Sequence, residues 1–162
     1  MHLQWQVVYL RPRLEKKTAE ICRINGIPHI LLLRQRTQTY QRRQVTTALP
    51  VFPGYLFVAL DPPRKLALQK TNAVLRFLVP DRPFRMLRQL AQVRRVLRHD
   101  PMLRAVKPLL AGRRVRITAG ALMGVEGVVA RMSATMRVVL TVDLIGQGVV
   151  VQVSREQVEP LD

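Results

Sequence analysis

The chain has 162 residues, 48% of them hydrophobic, with 27 basic against 10 acidic side chains and a net charge of +17. That length allows one ordinary domain or two small ones, and the apolar share excludes a disordered basic tail. No apolar run approaches the roughly 18 residues that span a bilayer. The N-terminus lacks the pattern of a signal peptide, and the one cysteine, Cys22, excludes an internal disulfide framework. A cytoplasmic protein with no membrane association is therefore expected.

The first strand expected is Trp5 to Leu10, "WQVVYL", which alternates and is β-branched. Leu14, Thr18, Ile21 and Cys22 then recur on one helical face, predicting a helix over about 13–25 that Gly26 and Pro28 end. His29 to Tyr40 reads as a second strand, and the polar "QRRQVTTA" after it as a loop or hairpin tip. "LPVFPGYLFVAL", Leu49 to Leu60, turns at Pro50, Pro53 and Gly54 into a third strand that carries Tyr55 and Phe57 just after Phe52. "PPRKLALQKT" predicts a helix opened by prolines. Ala73 to Val79 is a fourth strand, and "PFRMLRQLAQVRRVLR" a helix with Met86, Leu90, Val93 and Leu97 in one stripe and Arg88, Gln89, Gln92 and Arg95 facing outward.

Residues 99–111 carry two prolines and no clean period, as a linker would. Five short β-branched runs follow, near 114–118, 126–132, 136–144, 148–153 and 157–159, with Val128, Val138, Val142, Val149, Val151 and Val153 as their apolar wall. That texture predicts a small β-barrel, and nothing in the sequence signals a helical alternative. The fold class expected is α+β: an α/β sandwich on an antiparallel sheet over 1–98, a linker over 99–111 and a β-barrel over 112–162.

The charge is uneven along this plan. Residues 1–100 hold 19 basic and 5 acidic side chains, and residues 101–162 hold 8 and 5. Arginine, whose planar fork suits phosphate and guanine, supplies 22 of the 27 cations. The N-terminal part is thus expected to face nucleic acid or a nucleic-acid machine. Three scattered histidines and ten acids form no catalytic pair, phosphate loop or metal spacing, so neither an enzyme nor a cofactor or metal site is expected.

"GRRVRITAGALMGVEGVV", with Gly120, Gly124 and Gly127 at turn and close-approach positions, resembles the KOW motif of small SH3-like barrels. "WQVVYLRPRLEKKTAE", "LPVFPGYLFVAL", "NAVLRFLV" and "DLIGQGVVVQVSREQVEPL" resemble, in order, segments of the NusG family of transcription elongation factors, and the wording is closest to its specialised RfaH-like branch. The resemblance implies an NGN-like N-terminal domain whose apolar groove holds the clamp helices of RNA polymerase's largest subunit, with Trp5, Phe52, Tyr55 and Phe57 in the groove. Tyr55 and Phe57 are expected to be partly exposed for that partner. It further implies contact with the non-template DNA strand or nascent RNA through Arg11, Arg13, Lys16, Lys17 and Arg23, extended by Arg42, Arg43 and Arg76. The expected outcome is suppressed pausing and termination by a monomer. Rho or a small-subunit ribosomal protein are the partners the family implies for the KOW domain, although Ile145 stands where general NusG carries an aromatic. The competing expectation is an RNA-binding or ribosome-associated KOW protein.

Overall fold

A computed structural model describes residues 2–107, 112–132 and 135–161. Positions 108–111 of the expected linker lie outside the described residues. The chain divides into two compact units, residues 1–33 with 37–83 and residues 34–36 with 84–162.

The first unit is built on β1 (Gln4–Leu10), α1 (Glu15–Ile24), β2 (His29–Ile30), β3 (Leu33–Tyr40, except residues 34–36, which group with the second unit), β4 (Arg43–Pro50), β5 (Tyr55–Leu60), α2 (Pro62–Gln69) and β6 (Val74–Leu78). Four strands form an antiparallel sheet in the order β2-β5-β1-β6. Val8 and Leu10 of β1 and Leu56, Val58 and Leu60 of β5 point to one face, where they pack with Cys22 and Ile27 of the α1 region and Leu68 of α2. Asp61 starts α2 as its N-cap, accepting the Arg64 backbone N–H at 3.0 Å, and Pro62 and Pro63 occupy positions whose missing N–H costs nothing. Lys65 of that helix lies 4.7 Å from the centre of the Phe77 ring.

The stretch "QRRQVTTA", expected as a loop or hairpin tip, is a hairpin tip at Gln41 and Arg42 and strand from Arg43 on. β3 and β4 form a two-stranded ribbon closed by Gln41 and Arg42, both at positive φ (47° and 67°). A two-residue turn with two positive φ values matches the right-handed strand twist, and it usually carries Asn-Gly or Asp-Gly. Gln-Arg lacks that signal, so the sequence does not fix the turn at these two residues.

The second unit holds α3 (Pro83–His99), β7 (Ala105–Val106), β8 (Arg114–Ile117), β9 (Glu126–Met132), β10 (Thr135–Val142), β11 (Gln147–Ser154) and β12 (Val158–Pro160). Among the described residues its six strands are antiparallel in the order β12-β8-β9-β10-β11-β7. All five expected strands are present. β7, inside the expected linker, adds a sixth by pairing Ala105 with Val149. Val138, Val142, Val149, Val151 and Val153 are buried as expected, whereas Val128 is half-buried. Gly120 and Gly124 have φ of +85° and +92°, and a Cβ on Gly127 would come within 2.5 Å of the Val139 carbonyl oxygen.

Met86, Leu90, Val93 and Val96 are the buried stripe of α3. The side expected to face water carries a row of polar contacts instead. The Gln92 amide donates to the Glu126 carbonyl at 3.1 Å and accepts the Glu126 N–H at 2.8 Å. Gln89 donates to the Asp143 carboxylate at 2.9 Å and accepts the Asp143 N–H at 3.1 Å, while Arg95 donates to the Ala121 carbonyl at 3.1 Å. A polar stripe reads as solvated in a sequence, but a carboxamide can match the paired N–H and C=O of a peptide, as Gln92 does, or a backbone N–H together with a carboxylate, as Gln89 does.

Burial pushes the Asp143 carboxyl up, but hydrogen bonds from Thr141 and Gln89 and the Arg85 guanidinium outweigh it and hold the group below its ordinary value of 3.8. A carboxylate lowered in the folded state adds stability that is present above its unfolded pKa and is lost as pH falls through the folded one. Hydrogen exchange at the Asp143 amide is therefore expected to be protected to a constant degree from neutral pH down to about pH 5. Protection then falls below about pH 4, and Asp143→Asn flattens that acid limb.

Candidate functional site

The stretch Leu49 to Gly54 sets the geometry of the aromatic residues. After β4 the Val51 N–H donates to the Leu32 carbonyl at 2.8 Å, and the Tyr55 N–H turns back to the Phe52 carbonyl at 3.1 Å. Gly54 has φ +89°, and a Cβ there would meet the Tyr9 ring at 2.9 Å. Both the backbone angle and the space therefore demand glycine. Its N–H donates to the Glu15 carboxylate at 3.0 Å, and its carbonyl accepts the Leu10 N–H at 2.7 Å. Glu15 is itself buried, at 6% exposure. The turn into β5 is thus clamped from both sides, by the first turn of α1 and by the end of β1.

The register of β1 with β5 then decides which rings share a face. Trp5 lies opposite Ala59, Val7 opposite Phe57 and Tyr9 opposite Tyr55. On the other side of β1, Val7 and Tyr9 lie opposite Leu78 and Arg76 of β6. Residues directly opposite in an antiparallel pair point the same way. Trp5, Tyr9, Tyr55, Phe57 and Arg76 therefore belong to one sheet face, the one turned away from the α1 and α2 core. The Tyr9 and Tyr55 rings are 5.0 Å apart at an interplanar angle of 40°.

Exposure separates these residues. Tyr9 is 36% exposed, and Trp5 and Tyr55 are half-buried. Phe52 and Phe57 are buried at 2% and 1%, so the partial exposure expected of Phe57 does not hold, whereas that of Tyr55 does. The reason lies in β5 itself: it is an inner strand with β1 and β2 on either side, and every residue from Leu56 to Leu60 is buried. An unbroken apolar run is the pattern of a strand buried on both faces. Tyr9 was not among the expected groove residues. It was findable, because Trp5, Val7 and Tyr9 alternate along one strand and must point together.

The basic residues fall in three separate elements. Arg11, Arg13, Lys16, Lys17 and Arg23 are all exposed between the end of β1 and α1. Arg13 has φ +66°, and Arg11 donates through Nε to the Asn72 carbonyl at 2.9 Å. Arg23 is paired with Glu20, which draws the Glu20 carboxyl down and offsets the arginine's own charge. Arg42 and Arg43 sit at the tip of the β3–β4 ribbon, and Arg76 stands beside Tyr9 on the aromatic face.

Comparison with known proteins gives these features their context. Residues 3–96 match the family model NusG, described as transcription termination factor NusG. The chain belongs to the NusG family. It is accordingly a member of a family of transcription factors. Among solved structures it resembles one described as domain interaction in Thermotoga maritima NusG, at 20% identity and a TM-score of 0.49, covering 99% of this chain and 98% of that one. A structure described as the MjSpt4:Spt5 complex in conformation B matches at 12% identity and a TM-score of 0.33, covering 98% and 97%. No curated protein matches the chain. Among the described residues no helix is long and apolar enough to cross a membrane.

Proposed function

We propose that this NusG-family chain is a transcription elongation and antitermination factor of the RfaH-like kind. It binds the clamp helices of RNA polymerase's largest subunit through the sheet face that carries Trp5, Tyr9 and Tyr55. The observation that carries this reading is the register that lines those three rings up, none of them fully buried, beside the exposed Arg76. Aromatic anchors suit a coiled-coil partner because they bury a large area while losing little rotamer freedom. Phe52 and Phe57 support the face from within rather than touching the partner.

The exposed cations of the β1–α1 region, Arg11, Arg13, Lys16 and Lys17, contact the non-template DNA strand in this reading. Residues 1–98 act as the polymerase-binding domain, 99–111 as linker, and 112–162 as a KOW barrel that offers Rho or a ribosomal protein a second surface. The factor works as a cytoplasmic monomer without enzymatic activity. The test is capture of RNA polymerase from extract by the immobilised chain. Retention that survives nuclease is expected. Retention lost with nuclease would favour an RNA-binding, ribosome-associated protein instead.

A further inference from the structure

The β3–β4 ribbon, with Arg42 and Arg43 at its tip, has no role in that reading. Each of its strands has eight residues, about 26 Å at the usual rise. Every residue from Gln35 to Ala48 is exposed, and no acidic residue occurs between Glu20 and Asp61. An isolated two-stranded ribbon is marginally stable in water and gains order from a partner.

The two faces of the ribbon differ. The hydroxyls of Thr37 and Thr46 are 3.2 Å apart across the strands, which places both on one face. By the two-residue period, Thr39 and Gln44 share that face, and Arg36, Gln38, Tyr40 and Arg43 occupy the other. One face thus carries threonines with Gln35, Gln44 and Ala48 and no charge, and the other carries two arginines, Gln38, Val45, Thr47 and a tyrosine that is 71% exposed. At the end, Arg42 follows in a turn of positive φ.

We infer that this ribbon lies in the major groove of duplex DNA, with its arginine-and-tyrosine face toward the bases and backbone. The major groove of B-form DNA, about 12 Å wide, admits a two-stranded ribbon, whereas the deep, narrow major groove of an A-form RNA duplex does not. Arginine and glutamine are the side chains that pair bidentately with guanine and adenine edges there, and the absence of any carboxylate over the whole ribbon leaves nothing to repel phosphate. The inference deepens the DNA-contacting part of the proposed function and rests on it.

The test is binding of the full chain to a duplex DNA of about 20 base pairs and to an RNA duplex of the same sequence, titrated over a salt series. Arg42→Ala with Arg43→Ala is expected to weaken duplex DNA at least tenfold near 0.1 M salt and to reduce the slope of log K against log salt by about 2, leaving the RNA duplex unchanged. Unchanged DNA binding, or an equal loss on both duplexes, would overturn the ribbon's placement. The Lys16→Ala, Lys17→Ala variant separates the two levels. If it loses DNA while the tip variant does not, the β1–α1 contact stands and the ribbon inference fails. If the unmodified chain binds duplex DNA with no salt dependence, both fail.

Discussion

Phe57→Ala is expected to destabilise the four-stranded sheet by about 3–5 kcal/mol, the usual cost of emptying a buried phenylalanine site. Phe57 is 1% exposed on an inner strand, and its cross-strand partner Val7 is fully buried. Neither neighbour can collapse into the space without moving paired backbone, so the loss should lie well inside that range. Trp5 is the chain's one tryptophan and sits in the same sheet, so its fluorescence in a denaturant titration reports this unfolding directly. A change within about 0.5 kcal/mol, typical of a surface site, would mean that Phe57 is not a core residue. The experiment separates two roles that the "FPGYLF" stretch leaves open, a supporting ring and a docking ring.

The second large effect falls on binding. Tyr9→Ala with Tyr55→Ala is expected to weaken the association with RNA polymerase by about 2–4 kcal/mol, roughly 30- to 1,000-fold. The two rings touch each other at 5.0 Å and are partly open to solvent, so their loss should cost the fold only about 0.5–1.5 kcal/mol through the ring pair. The contrast with Phe57→Ala is the informative part. One change removes support and is read in stability. The other removes contact area and is read in affinity, with Trp5 fluorescence confirming that the sheet remains folded.

Much of this architecture is legible in the chain. Strong alternation or unbroken apolar runs mark β1, β5 and β6, and the proline pair after Asp61 marks the start of α2. Gly54 could be read as a turn residue, but its clamp could not. Glu15 stands 39 positions earlier, and only the packing of α1 against the sheet brings its carboxylate to the Gly54 N–H. β4 is not legible as a strand because Val45 is the one large apolar residue between Arg43 and Thr47 and the turn before it lacks glycine, so neither hydrophobic period nor turn chemistry announces it. Gln89 and Gln92 read as solvent-facing for a related reason. A carboxamide that pairs with a distant peptide looks, in sequence, like any polar residue on a helix.

The candidate site was legible in kind but not in membership. The resemblance to the family's segment points to the stretch around Phe52, Tyr55 and Phe57. Of those, Tyr55 keeps an open ring, and Phe52 and Phe57 are interior. Tyr9 replaces them on the surface, because the β1–β5 register sets it opposite Tyr55. Register is a property of two strands together, and a single strand's alternation gives only half of it.

In the proposed function the Trp5–Tyr9–Tyr55 face holds RNA polymerase. The most direct test of that claim is an equilibrium titration of purified RNA polymerase with the intact chain and with the Tyr9→Ala, Tyr55→Ala variant, nucleic acid being absent. A saturable complex that the variant weakens about 30-fold or more, with its sheet still folded, is the predicted result. Equal affinity for both chains would contradict the claim and return the two tyrosines to the role of surface rings without a partner.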